Sequence, residues 1–76
     1  MNNTRREAIK KIIKRIEDIS TDVEIISEKE KVCRDNLPEN LHGSERYEIA
    51  DSTIYNLLEA VEKLDSVKDS LEAAME

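Results

Sequence analysis

Three groups of side chains in this sequence could do chemistry: a Glu-x-x-His pair, a lone cysteine and a run of cations. Glu39 and His42 stand three apart, the spacing by which carboxylate-bridged di-iron bundles aim two ligands inward. Such a centre takes that pair from each of two helices, with further glutamates. Here the pair occurs once, between Pro38 and Gly43, so His42 reads as a turn residue, and no metal or cofactor is expected. Cys33 could be a nucleophile or redox thiol, but no histidine is placed to activate it. A free cysteine on an apolar stripe reads as a small core hydrophobe. The sequence holds no glycine-rich phosphate loop, zinc spacing or nucleophile elbow. A protein without catalytic activity is the expectation.

The cations are Arg5, Arg6, Lys10, Lys11, Lys14 and Arg15. Residues 1–15 carry 6 − 1 = +5, residues 16–40 carry 3 − 8 = −5 and residues 41–76 carry 3 − 9 = −6. A basic segment can contact phosphates, which gives one functional alternative, a small nucleic-acid-associated regulator. No helix-turn-helix or aromatic-interleaved patch accompanies it, and the acids elsewhere would repel a duplex. Insertion into an anionic membrane through Ile9, Ile12, Ile13 and Ile16 is disfavoured, because the chain has no Trp or Phe to anchor it. We expect the cations to be neutralised by Asp65, Asp69, Glu72 and Glu76 of an adjacent helix.

That expectation depends on the elements that place these groups. Apolar residues recur at gaps of three and four, a heptad seam. In the first half Ile9, Ile16, Val23, Glu30 and Leu37 fall at a, with Ile12, Ile19, Ile26 and Cys33 at d. In the second half Tyr47, Ile54, Val61, Lys68 and Met75 fall at a, with Ala50, Leu57, Leu64 and Leu71 at d. The pattern predicts helices over about residues 4–36 and 44–75, separated by a turn over about residues 37–43. Leu37 precedes Pro38 and is pushed from helical angles, Gly43 interrupts again, and Ser44 is a good N-cap ahead of Glu45 and Glu48. Leu41, between them, should cap the bundle end with Leu37. A short connection makes the helices antiparallel neighbours. Residues whose numbers add to about 80 should then face one another, as Cys33 with Tyr47, Ile26 with Ile54, Val23 with Leu57, Ile19 with Val61, Ile16 with Leu64 and Ile9 with Leu71.

The fold class is therefore all-α, one antiparallel two-helix hairpin spanning residues 1–76. Such a chain has a small aliphatic core and no disulfide, and self-association is the usual remedy. The apolar surface is wider than one seam: Ile13, Ile25 and Val32 flank the first stripe, and Leu58, Ala60, Val67 and Ala74 flank the second. A helix touching two neighbours has this pattern. We expect a homodimeric four-helix bundle. Glu30 and Lys68, too far apart to pair within one hairpin, would approach across a two-fold axis and fix the dimer register. The alternative is that both snorkel to solvent.

One cysteine cannot form an internal bridge, and the longest apolar run, Ala73 to Met75, is far shorter than a membrane span or a signal core. A cytoplasmic protein is expected, and its net charge of −6 favours solubility. The corner string NLPENL at 36–41, the tripeptide Ser44-Glu45-Arg46 and the helix string LLEAVEKL at 57–64 resemble small uncharacterised proteins of bacterial and phage genomes, especially Firmicutes and gut bacteria. The resemblance covers about residues 34–74. It implies a cytoplasmic helical hairpin often linked to mobile elements, and it brings no catalytic or binding residues. Tyr47 departs from it by standing where glycine is expected. The polar tip formed by Asn36, Glu39, Asn40, His42, Glu45 and Arg46 could dock a protein partner, although turn-making and capping explain these residues as well.

Overall fold

The computed structural model describes all 76 residues. Helix α1 spans Asn3–Asp35 and helix α2 spans Glu45–Ala74, joined by a 3-10 turn over Glu39–Leu41. Asn2 caps α1, its side-chain oxygen accepting from the Arg5 backbone N–H at 2.9 Å. The helix stops where expected: Asn36, still at helical angles, is its C-cap, and Pro38 at ψ 144° turns the chain into the corner. Ser44 caps α2, accepting from the Tyr47 N–H, while its own hydroxyl donates to the Leu41 carbonyl. The result is an all-helical antiparallel hairpin of 59 × 15 × 11 Å, one helix thick.

Contacts at the two ends fix the register. Near the termini, the Arg6 Nε donates to the Met75 carbonyl at 2.9 Å, and near the turn the Arg34 guanidinium lies 5.8 Å from the centre of the Tyr47 ring. In both pairs the residue numbers add to 81. Carried along the hairpin, that register sets Ile13 opposite Lys68, Ser20 opposite Val61 and Ser27 opposite Ile54. Burial agrees, since Ile13, Ser20, Ser27 and Ile54 are the four buried residues.

On α2 the expected seam holds, with Tyr47, Ala50, Ile54, Leu57, Val61, Leu64, Lys68, Leu71 and Met75 all at least half-buried. On α1 it holds by half. Ile9, Ile16, Val23, Glu30 and Leu37 face α2, at levels compatible with Ile9–Leu71, Ile16–Leu64 and Val23–Leu57. The d residues do not: Ile12, Ile19, Ile26 and Cys33 are exposed, and Ile13, Ser20, Ser27 and Arg34, each one residue later, take their places. Relative to the expected seam, α1 is turned by about 50°, half the angular step of one residue. The reason is steric. Ser20 and Ser27 are small enough to let the helices approach, whereas branched isoleucines at those levels would hold them apart, and a stripe three positions wide cannot be covered by a single neighbour.

Candidate interaction surface

A slab one helix thick has two broad faces, and here they differ in chemistry. One is marked by the ion pair between the Arg34 Nη1 and Asp51 at 2.7 Å, which crosses from α1 to α2. Steps of seven residues return to the same side of such a hairpin, so Asp65 and Glu72 lie on the side of Asp51, with Leu58 the one large apolar residue among them. Lys10, Glu17, Glu24 and Lys31 border this face on α1. It is a charged surface.

The opposite face is marked by a groove near the turn, lined by Glu30 and Cys33 from α1, by Leu37 from the corner and by Arg46, Ile49, Ala50 and Thr53 from α2, with Arg34, at the seam between the two faces, also reaching its wall. Cys33 and Thr53 therefore share a side. Steps of seven from Cys33 give Ile26, Ile19 and Ile12, and steps of seven from Thr53 give Ala60, Val67 and Ala74. The face thus carries rows of Ile26 with Thr53, Ile19 with Ala60 and Ile12 with Val67. Its large apolar members are exposed, from 41% at Ile12 to 59% at Ile49. Ala8, Arg15, Asp22 and Lys29 edge it on α1.

At the corner, His42 and Tyr47 stack at 4.8 Å between ring centres, and the His42 Nε2 lies 3.1 Å from the Leu37 carbonyl. Arg34 packs on the same tyrosine and also donates from Nε to Asp35 at 3.1 Å. Hydrogen bonds to Asp51, and next to Asp35, raise the Arg34 guanidinium above its ordinary pKa. His42 is thus used in the turn. Nowhere do three or more His, Cys, Asp or Glu side chains gather as a metal centre requires. Leu37 is half-buried but Leu41 is exposed, so only the first of these two closes the end of the hairpin, and Asn36, Glu39, Asn40, His42, Glu45 and Arg46 form an exposed tip.

The basic stretch is neutralised differently from the expectation. Lys10 pairs with Glu7 and Lys14 with Asp18, each at 3.1 Å within α1, and the Asp18 hydrogen bond raises the pKa of the Lys14 amine. No ion pair reaches Asp65, Asp69, Glu72 or Glu76. The seam at this end uses Arg6, Ile9 and Ile13, which aims Lys10 and Lys14 away from α2 and within reach of acids one turn away on their own helix. Arg5, Lys11 and Arg15 stand in none of the ion pairs.

Glu30 and Lys68 are both half-buried in the seam. Glu30 lines the groove on the apolar face, and Lys68 lies far along the hairpin opposite Ile13. Sequence reasoning missed the packing roles of Ser20 and Ser27 and the cap that Arg6 places on α2. The signal for the serines was present: Ile13, Ser20, Ser27 and Arg34 recur every seven residues beside the isoleucine stripe. No helix is long and apolar enough to cross a membrane. The chain matches no family model, no curated protein and no solved structure.

Proposed function

We propose that this chain is a non-enzymatic, self-associating helical module whose working form is a homodimeric four-helix bundle. The observation that carries this reading is the surface left uncovered. A compact monomer of 8.8 kDa has an accessible surface of about 4,800 Å², and the hairpin has 5720 Å². The excess of about 900 Å² per chain is about 1,800 Å² for two, within the roughly 1,600 ± 400 Å² of a standard specific interface. The hairpin also exposes an isoleucine-rich face and buries only two apolar side chains, Ile13 and Ile54. Sedimentation across a concentration series tests the reading: a reversible shift from one chain to two supports it, and a folded single chain at all concentrations rejects it.

Association with nucleic acid is the second reading, favoured by Arg5, Lys11 and Arg15 standing outside the ion pairs of their helix. Titrating salt into mixtures with random duplex DNA separates the two readings. Phosphate contacts give binding that falls steeply with added salt, and a chain that serves only assembly gives none even at low salt.

A further inference from the structure

The apolar face also specifies how a second copy would sit, and the following rests on the self-association proposed above. We infer that two hairpins pack apolar face to apolar face, end over end, about a two-fold axis that lies between them and crosses the helices, so that α1 lies antiparallel to the partner's α1 and α2 to the partner's α2.

 The axis passes through the row formed by Ile19 and Ala60. Three observations place it there. The three rows of Ile26 with Thr53, Ile19 with Ala60 and Ile12 with Val67 are centred on the middle row, so one axis serves both helices. Ile26 then meets the partner's Ile12, and Thr53 meets the partner's Val67. Charge selects this orientation over one with both turns at the same end. Residues 21–60, the turn half, carry 4 − 10 = −6, and the remaining residues carry 8 − 8 = 0. End-over-end packing sets each acidic half beside a neutral one, whereas the same-end arrangement would crowd both acidic halves together. At the rim, Arg15 and Asp22 border the α1 stripe on the same side, and the two-fold brings Arg15 to the level of the partner's Asp22, twice per dimer. Register then rests on these pairs, with Lys68 on the side of the seam away from the interface.

Single cysteines introduced into a Cys33→Ser chain test the geometry under mild oxidation, with helix content and sedimentation checked for each variant. Ile19→Cys sits on the axis and should link two copies almost completely. Ile12→Cys and Ile26→Cys should each stay unlinked alone, their sulfurs about 21 Å from their own symmetry mates at 1.5 Å per residue, and should link to each other when the two chains are mixed. The native Cys33, about 42 Å from its mate by the same measure, should not bridge the dimer. Arg15→Asp should raise the dissociation constant roughly three- to thirty-fold, and Arg15→Asp with Asp22→Arg should recover most of that loss. A chain that sediments as a dimer while Ile19→Cys stays unlinked overturns this geometry and leaves self-association standing. A chain that sediments as a monomer throughout overturns both.

Discussion

Ser27 is 1% exposed, and neither its hydroxyl nor that of Ser20 has a hydrogen-bond partner. A buried hydroxyl without a partner is costly, and serine is a weaker helix former than alanine. What the site needs is small size, so Ser27→Ala should stabilise the fold by about 0.5–1.5 kcal/mol in urea unfolding at fixed protein concentration. Ser27→Leu has the opposite sign. It forces the helices apart opposite Ile54 and should cost about 1–3 kcal/mol. A loss of stability in the alanine variant would mean that the hydroxyl holds a partner in solution.

At the scale of the elements, stability at the ends comes from caps. The Ser44 side chain accepts from the third residue of α2, and Ser44→Ala should cost about 0.5–2 kcal/mol by the same urea measurement. Gly43 behaves otherwise. It has no positive φ, and a Cβ added there meets nothing within 4 Å. Gly43→Ala should therefore be neutral or stabilising by up to about 1 kcal/mol, through the lower entropy of the unfolded chain. Arg6 meets a different need, because α2 has no basic residue in its last turn and the carbonyl of its C-cap, Met75, lies within reach of α1. A guanidinium on the Met75 carbonyl compensates the helix dipole there. Arg6→Ala should speed amide hydrogen exchange in the last turn of α2 and leave the middle of the helix unchanged.

At the scale of the whole molecule, shape decides. The radius of gyration is 17.5 Å, against about 11 Å for a compact domain of this length, and a slab one helix thick cannot surround its own apolar residues. The proposed self-association makes stability depend on concentration. The thermal midpoint should rise across a hundredfold increase in protein, and Ile19→Asp should abolish both that rise and the two-chain species. A midpoint independent of concentration in the unmodified protein would count against the bundle.

The sequence by itself determined both helices, the corner between them and the seam of α2. The heptad spacing, Pro38 and the Ser44 cap act locally and leave the backbone few alternatives. It determined only half of the α1 seam. Ile12, Ile19 and Ile26 are as apolar as Ile9, Ile16 and Val23, and hydrophobicity alone cannot rank two edges of one wide stripe. Tertiary packing made the choice, because the small side chains of Ser20 and Ser27 let α2 come close on one edge and left the isoleucines on the other uncovered. The same rotation exposed Cys33 and turned Lys10 and Lys14 toward acids on their own helix. Those outcomes depend on how closely two backbones can approach, a property of facing pairs that neither helix carries alone.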